Sequence, residues 1–589
     1  MYMKSKFLKR LERLIAYFKR HKKYLYWGVL VTVLTNVIGM VSPWIVKMAI
    51  DDLRQNAATY SQLRTYATLI VILAIGAGFF RFLMRRTIIW GSRIFEYEIR
   101  NEFFLHLLGL PKSFYQETAT GDIIARGSND VEATRLLAGP AVMQIINSAI
   151  SISVALTLMF VLSWKLTLIA LTGFPLLSIL TNRLGTKIHQ KSYQIQQHFS
   201  TMTSYVQENV SGVKVVKAYN QEEDQIKNFA GLNKTYIDLN LSLARIRGLF
   251  MPSIYGIVGI IILLLLYFGG KQVINGSITL GTLVAFIFYL MSIMWPMLAV
   301  GWVVALYQRG TASLERIEKI MRRKSEVADT DVDPNARPQL GEIEIRDLSF
   351  RYPNDDQEVL KDVNLRIPSG KTVAIVGPTG CGKSTLVELI LKAYKVPDGK
   401  ILIDDIDINR IPMANLRRAV GYVPQETFLF SRTLKENIAF GEEKIIEEEI
   451  EKAAGIAGIR QEISEFPRGF ETRLGERGVT LSGGQKQRTA LARAIIANPP
   501  ILILDDAFSA VDTNTEELIL RELKNVLETR TSILISHRIS TVKNADMICV
   551  MEEGRIEACG THEELIEKSG LYAHIVELQS LEEELEALR

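Results

Sequence analysis

A glycine-rich octapeptide has the composition and spacing of a phosphate-binding loop. Residues 377–384 fit the pattern G-x-x-x-x-G-K-S, between an apolar run at 372–376 and a helical run at 385–390. Glycines let backbone N–H groups surround phosphate oxygens at a helix N-terminus, where the helix dipole favours negative charge. We therefore expect Lys383 to neutralise nucleotide phosphates and Ser384 to bind Mg²⁺.

Two further motifs follow this loop. The apolar run 501–504 ends in Asp505, which fits an acid that holds Mg²⁺ directly or through water. Residues 481–488 read Leu-Ser-Gly-Gly-Gln-Lys-Gln-Arg and begin a helical run. Ser482 and Gln485 fit an ordinary capping box. Two glycines after a cap nevertheless lower helix stability. Their role would be to leave backbone N–H groups accessible to a second anion.

Six long apolar segments precede these motifs, and each reaches the roughly 20 residues that a bilayer core requires. They lie near 25–50, 65–90, 137–163, 165–185, 248–268 and 278–305. The two long connections, between segments two and three and between segments four and five, are rich in Lys and Arg. The positive-inside rule therefore predicts that these connections and both termini are cytoplasmic. Before the first segment, an amphipathic pattern that includes Phe7, Leu8 and Leu11 predicts a helix on the bilayer surface, or else an ordinary packed helix.

The two halves of the chain differ in composition. Residues 1–340 carry 38 Lys and Arg against 21 Asp and Glu, whereas residues 341–589 carry 31 against 43. We expect a membrane α-helical domain with six transmembrane helices at 1–322, a polar linker at 323–340, and an α/β P-loop ATPase domain at 341–589.

Three cysteines exclude a disulfide scaffold and fit a reducing cytoplasm. The basic residues form no compact stripe with interleaved aromatics, which argues against nucleic acid as a partner.

The order of the motifs resembles the nucleotide-binding domain of the ABC transporter family. After the phosphate loop come Gln425, the Leu-Ser-Gly-Gly-Gln signature, Asp505, and Ser-His-Arg at 536–538. Six apolar segments fused ahead of such a domain are similar to a half-transporter of the multidrug and lipid exporter branch. The resemblance covers essentially the whole chain, and the signature is its specific element.

The resemblance implies a role for each motif. Tyr352 is expected to stack on adenine, Gln425 to approach Mg²⁺, and His537 to contact the γ-phosphate as a switch. The expected ATP-binding residues are Tyr352, Gly377, Pro378, Thr379, Gly380, Cys381, Gly382, Lys383, Ser384, Thr385, Gln425 and His537. The expected Mg²⁺ ligands are Ser384, Gln425 and Asp505. The signature residues Ser482, Gly483, Gly484 and Gln485 would bind ATP held by a second subunit.

Three loop segments also match the family. Residues 509–512 are similar to its D-loop, which crosses between two nucleotide-binding domains. Residues 475–478 are similar to the stretch that touches the coupling helices. The breaks in the long connections, near 111–120 and 209–222, match the coupling helices themselves.

One position departs from the family. The residue after Asp505 is usually Glu, the general base, whereas here it is Asp506. A general base must come within about 2.6–3.2 Å of its proton, directly or through one water. The resemblance implies that the catalytic residues are Asp506, Gln425 and His537, and the shorter side chain of Asp506 predicts slow hydrolysis. This favours a heterodimer in which the chain supplies the weaker site, and a homodimer is the alternative.

The resemblance implies ATP-driven export of hydrophobic or amphipathic compounds across a bacterial cytoplasmic membrane. The implied partners are a second half-transporter, the lipid bilayer and a hydrophobic substrate. A lipid flippase is the alternative within transport. An ATP-gated channel or a regulatory membrane protein is the alternative from another class.

Overall fold

The structure is a computed structural model. It describes residues 12–55, 58–353, 355–442, 444, 446–475, 478 and 480–587, without the side chains of 582–587. The chain divides into two compact units. The N-terminal unit comprises Met1–Leu107 and Gly121–Arg322, and the C-terminal unit comprises Leu108–Thr120 and Arg323–Arg589. The segment near the first predicted break thus belongs to the C-terminal unit.

The first part of the chain is helical. In order, its helices are α1 (Glu12–Arg20), α2 (Lys22–Arg54), α3 (Tyr60–Leu108), α4 (Lys112–Glu117), α5 (Thr120–Leu162), α6 (Trp164–Ser211), α7 (Val213–Ala218), α8 (Glu222–Ile274) and α9 (Leu280–Met321). Within the described residues, six of these helices are long and apolar enough to cross a membrane: α2, α3, α5, α6, α8 and α9. The predicted six-helix membrane domain is confirmed. At 1.5 Å per residue, α8 is about 80 Å long and exceeds a bilayer core of roughly 30 Å.

Helix α5 departs from regular α geometry twice. It contains π-helical turns at Arg126–Asp130 and at Leu137–Ala141, and the second includes Pro140, which lacks a backbone N–H. The first turn ends at Asp130, whose carboxylate accepts hydrogen bonds from Ser313 and Arg316 of α9. The predicted third apolar segment began only at 137, whereas the helix itself begins at Thr120, as expected from the helical periodicity of the long connection.

Helix α1 packs against protein along its described face. Leu14 and Tyr17 are buried, and the Tyr17 hydroxyl donates to the Gly91 carbonyl of α3. Arg13 pairs with Glu102 of α3 at 2.6 Å. These contacts fit the packed-helix alternative, and the bilayer-surface expectation stays a prediction. Phe7, Leu8 and Leu11 lie outside the described residues.

The start of α9 is fixed to the end of α2 by one carboxylate. Asp51 accepts hydrogen bonds from the Thr279 hydroxyl at 2.7 Å and from the Gly281 N–H at 2.9 Å. A Cβ on Gly281 would lie 2.2 Å from the Lys47 carbonyl oxygen. Only glycine therefore permits this approach of the two helix backbones.

The C-terminal unit contains two sheets with helices packed on them. Its strands are β1 (Ile343–Arg351), β2 (Glu358–Ile367), β3 (Thr372–Val376), β4 (Ile401–Ile403), β5 (Ile406–Asp407), β6 (Val420–Val423), β7 (Ile501–Asp505), β8 (Thr531–Ile535), β9 (Met547–Glu552) and β10 (Arg555–Gly560). Its helices are α10 (Lys383–Ile390), α11 (Met413–Ala419), α12 (Leu434–Ile438), α13 (Glu447–Ile456), α14 (Arg460–Glu465), α15 (Gly483–Ile496), α16 (Thr513–Leu527), α17 (Ile539–Val542), α18 (His562–Lys568) and α19 (Gly570–Ala587).

The larger sheet has the order β10-β9-β3-β8-β7-β6 and is parallel except for β10. The predicted α/β domain with a largely parallel sheet is confirmed. An antiparallel sheet of order β2-β1-β4-β5 accompanies it, which the sequence did not indicate. Two apolar cores, around Leu504 and around Ile375, lie on opposite faces of the larger sheet because side chains alternate along each strand.

One covalent link joins β9 to β10. Cys549 and Cys559 are directly opposite on the paired strands, with Cα atoms 4.3 Å apart, and form a disulfide. Cys381 is a free, buried thiol. A single cross-strand link is not a scaffold, but it departs from the reduced state expected from the sequence.

The helix approach at Gly281 gives a test of the fold. We expect Gly281→Ala to lower the apparent unfolding temperature, because the added methyl overlaps backbone of α2 and overpacking costs about 1–3 kcal/mol. Gly270→Ala, on α8 with open space around its Cα, is the matched control and should leave that temperature unchanged or raised. Thermal unfolding of detergent-solubilised protein measures both. Equal temperatures for the two variants would contradict the packing described.

Candidate functional site

The candidate site lies at one edge of the larger sheet. Strands β3, β8, β7 and β6 are parallel neighbours, so the residues that follow them meet at one edge. The phosphate loop follows β3, Asp506 follows β7, His537 comes two residues after β8, and Gln425 comes two residues after β6. The topology thus gathers four motifs that are far apart in sequence.

The phosphate loop depends on glycine at defined positions. Gly377, Gly380 and Gly382 have φ values of 154°, 85° and 104°. A Cβ on Gly377 would lie 2.1 Å from the Met551 carbonyl oxygen. The loop backbone can therefore pack against β9 only without a side chain, and it then enters α10 at Lys383.

Lys383 is buried and folds back over its own loop. Its ammonium donates to the carbonyls of Gly377 at 2.8 Å and Pro378 at 2.9 Å, and lies 3.8 Å from the Cys381 sulfur. These are neutral acceptors, and a phosphate would offer stronger, charge-assisted hydrogen bonds. The cation is thus already located at the loop where an anion is expected.

Hard oxygen ligands converge beside the loop. The Ser384 hydroxyl lies 3.2 Å from Asp505 Oδ1, and Asp505 is only 3% exposed. Burial raises the pKa of Asp505 above its usual value, the neighbouring Asp506 raises it further, and the Ser384 hydrogen bond lowers it. A buried carboxylate next to a hydroxyl is the donor set that Mg²⁺ prefers, and a cation there would offset the cost of burial. The residues present fit Mg²⁺.

Asp506 has an unusual backbone. Its φ is 50°, in the left-handed region, and its N–H donates to the Ile535 carbonyl at 2.8 Å. Asp is several-fold enriched in this region relative to most residues. Gln425 Nε2 lies 3.4 Å from Asp506 Oδ2, so the structure brings these two candidate catalytic residues together. The left-handed conformation of Asp506 was not predicted from the sequence.

Tyr352 lies beside the phosphate loop. Its hydroxyl lies 2.9 Å from the Thr385 hydroxyl, and its ring packs edge-on against Phe350 and Tyr394. Thr385 therefore contacts the residue that the sequence predicted for adenine.

The signature helix α15 begins with the predicted capping box. Ser482 and Gln485 exchange both hydrogen bonds, and Gln485 also donates to Glu462 at 2.8 Å. A Cβ on Gly484 would lie 2.8 Å from the Ala510 carbonyl oxygen. The glycine thus has a packing role that the sequence analysis did not assign, because it lets the 509–512 loop approach α15.

Gln487 connects the signature helix to the same loop. Its side chain donates to the Ser509 hydroxyl at 2.8 Å and accepts from the Ala510 N–H at 2.9 Å. It also lies 3.4 Å from the Asp506 carbonyl oxygen. This residue was not predicted from the sequence, although it stands two residues after the Leu-Ser-Gly-Gly-Gln signature.

The segment around His537 is held at its backbone. The imidazole is exposed, whereas the next residue, Arg538, pairs with the buried carboxylate of Glu516 and donates to the Val511 carbonyl. Glu516 is 1% exposed and also accepts from the Thr541 hydroxyl. These anchors were not predicted, because no motif marks Glu516.

The first predicted break contacts the phosphate-loop helix within the C-terminal unit. Lys112 of α4 pairs with Glu388 of α10 at 2.5 Å, and Tyr394 donates to Gln116 at 2.9 Å. Glu117 pairs with Arg323 at 2.7 Å. The second break contains α7, as the sequence suggested. In the segment 475–478, Glu476 and Arg477 lie outside the described residues.

Comparisons with known proteins agree with this architecture. Residues 25–297 match the family model described as ABC transporter transmembrane region, and residues 360–509 match the model described as ABC transporter. The chain is 36% identical over 562 residues to the probable multidrug resistance ABC transporter ATP-binding/permease protein YheI of Bacillus subtilis, covering 94% of this chain and 96% of that protein. It is 34% identical over 572 residues to the multidrug resistance-like ATP-binding protein MdlA of Escherichia coli. This match covers 97% of this chain and 96% of that protein.

A solved structure has the same fold. It is described as a bacterial Atm1-family ABC exporter with ATP bound, and it superposes with a TM-score of 0.77 at 26% identity. The match covers 95% of this chain and 98% of that chain. The chain therefore belongs to the ABC transporter family, as a membrane region fused to an ATP-binding domain that couples ATP hydrolysis to transport.

Proposed function

We propose that this chain is one subunit of a dimeric exporter of hydrophobic or amphipathic compounds in a bacterial cytoplasmic membrane, with both termini in the cytoplasm. The observation that carries the proposal is the convergence of Lys383, Ser384, Asp505 and Asp506 at one sheet edge of a chain with six apolar spans. The names of the multidrug relatives support the substrate class.

In this proposal, the chain's own residues bind ATP at the sheet edge. Tyr352 stacks on adenine, and residues 377–385 surround the phosphates with backbone N–H groups, while Lys383 neutralises their charge. Ser384, Asp505 and Gln425 hold Mg²⁺, which polarises phosphate oxygens when bound. Ser482, Gly483, Gly484 and Gln485 contact the nucleotide of the second subunit, so each site needs both chains.

Asp506 is the proposed general base. It accepts a proton from the attacking water, Gln425 orients that water, and His537 contacts the γ-phosphate. Asp506 is one methylene shorter than the usual Glu, and its left-handed backbone fixes the direction from which the short side chain starts. This supports slow hydrolysis at this chain's site, and therefore a heterodimer in which a second half-transporter supplies the faster site. A homodimer with two such sites remains the alternative.

The membrane helices support an apolar substrate. Polar side chains at depth pair with one another, as Asn36 donates to Asn147 at 3.0 Å and Gln144 donates to Ser148 at 3.1 Å. Hydrogen-bonded amides in a mostly apolar setting favour amphipathic compounds over ions or sugars. A lipid is the second candidate substrate, on the same observation.

The central test replaces the phosphate-loop lysine. We expect Lys383→Ala to lower ATP affinity and ATP-dependent transport at least tenfold, because no other side chain would neutralise the phosphates in the same way. Lys395→Ala, at an exposed lysine after α10, is the matched control and should change neither. Nucleotide binding and uptake of a fluorescent dye or a labelled lipid into inverted vesicles measure the effects. Unchanged affinity and transport in Lys383→Ala would overturn the proposal.

Vectorial uptake also separates the functional classes. Net ATP-dependent accumulation of dye or lipid against a gradient is expected of a pump. Passive equilibration opened by ATP, without accumulation, would instead identify a gated channel.

The general base gives a second prediction. We expect Asp506→Glu to raise the ATPase rate of this chain about tenfold, because the longer side chain reaches the attacking water. Asp506→Asn has the same size without the basic oxygen and should lower the rate. The measurement is steady-state ATP hydrolysis in nanodiscs, by the chain alone and mixed with a half-transporter encoded beside it. If the chain has full ATPase activity without a second half-transporter, and Asp506→Glu gives no gain, the homodimer would be established.

The ion pair between α4 and α10 gives a third prediction. We expect Lys112→Glu to reduce transport several-fold at preserved basal ATP hydrolysis, because two carboxylates then face one another. Adding Glu388→Lys should restore transport in the double variant by reversing the pair. Lys187→Glu, an equal charge change at an exposed lysine on α6, is the control. Equal loss in the single and double variants would show that the pair does not couple the two activities.

A further inference from the structure

The C-terminal helix α19 holds the backbone of residues 537–539, here called the switch segment, through one side chain. Gln579 Oε1 accepts a hydrogen bond from the Ile539 N–H at 2.8 Å, and Gln579 Nε2 donates to the His537 carbonyl. A primary amide that both donates and accepts on one short backbone segment fixes the position and the direction of that segment. His537 lies at one end of this two-point contact.

The Gln579 amide supplies a hydrogen-bond acceptor for the Ile539 N–H, which the N-cap side chain does not supply. Helix α17 begins at Ile539, and its N-cap residue, Arg538, gives no side-chain capping hydrogen bond. The first N–H groups of a helix have no partners within the helix. Gln579 therefore caps α17 from a distant part of the chain.

The opposite side of the same segment is already fixed. The Ser536 hydroxyl accepts from the Arg538 N–H at 3.0 Å, and the buried Glu516 holds both Arg538 and Thr541. The His537 imidazole, in contrast, is exposed. The segment is thus clamped at its backbone while the imidazole is left available to a ligand.

Helix α19 is itself well anchored. Tyr572, in its first turn, is fully buried, and its hydroxyl lies 2.7 Å from His562 Nδ1. Val576 packs against the same apolar core. Since Tyr572, Val576 and Gln579 are spaced i, i+4 and i+7, they lie on one helix face. The amide is therefore presented from a rigid position.

We propose that Gln579 is a positioning residue for His537, so that the C-terminal helix sets the geometry with which the switch histidine meets the γ-phosphate. This rests on the proposed role of His537. Gln579 itself touches no substrate and acts only through the backbone of residues 537–539.

The test is a double-mutant cycle on the full-length transporter in nanodiscs, with its partner subunit where one is needed. Gln579→Met keeps the aliphatic length and helix propensity but removes both hydrogen bonds. We expect it to lower kcat about fivefold, with less than a twofold change in KM for ATP. Ser580→Ala, at the next residue on α19, is the control and should keep the wild-type kcat and KM. In a His537→Ala background, Gln579→Met should have no further effect.

Nucleotide binding can be measured for variants whose ATP hydrolysis is too slow to give a kcat. We expect Gln579→Met to reduce the preference for a fluorescent ATP analogue over the matching ADP analogue, because His537 contacts the γ-phosphate. This preference should fall no further when Gln579→Met is added to His537→Ala. Equal reductions in both backgrounds would overturn the inference, since a merely structural role is additive.

The experiments distinguish an error in the role of His537 from an error in the role of Gln579. Wild-type kcat and nucleotide preference in His537→Ala would reject the role of His537. Loss of both in His537→Ala, with wild-type values in Gln579→Met, would reject the role of Gln579 alone.

Discussion

The parallel pairing of β3, β8, β7 and β6 is the constraint on which the site depends. Ile375 pairs with Ile535, Ile535 with Asp505, and Leu504 with Val423, so the four strands end nearly level with one another. Neighbouring strands are about 4.8 Å apart. A lysine, two carboxylates, a histidine and a glutamine from distant parts of the chain therefore reach one small region. A one-residue shift of register in any one strand would turn its side chains to the other face and displace one of these groups.

Charge balance explains why the site needs its ligands. Asp505 is buried beside Asp506, and burial raises its pKa because water no longer solvates the carboxylate. Lys383 meanwhile donates to neutral carbonyls of its own loop. Each group is better matched by a bound species of opposite charge than by its neighbours in the chain. A bound divalent cation would thus offset the burial of Asp505, and a bound anion would give Lys383 charge-assisted hydrogen bonds.

The sequence predicted the parts whose local chemistry is self-contained. The phosphate loop, the capping box at Ser482 and the six apolar spans each follow from residue types at fixed spacing. The left-handed backbone of Asp506, the packing role of Gly484 and the cross-strand pair Cys549–Cys559 do not, because each depends on a neighbour brought in by the fold. The π-helical turns of α5 were missed for a similar reason, since Asp130 is polar but buried through its bonds to α9.

In the proposed mechanism, helix α10 would transmit nucleotide binding to α4 because α10 is short. Its N-terminus carries Lys383 and the phosphate loop, and Glu388, about 7.5 Å further along the axis, pairs with Lys112 of α4. A helix of this length cannot bend appreciably, so a displacement at its N-terminus moves Glu388 as well. The chain enters α4 from α3 and leaves it into α5, and both are membrane spans. The ion pair therefore joins the phosphate-loop helix to the segment that connects two membrane spans in the chain.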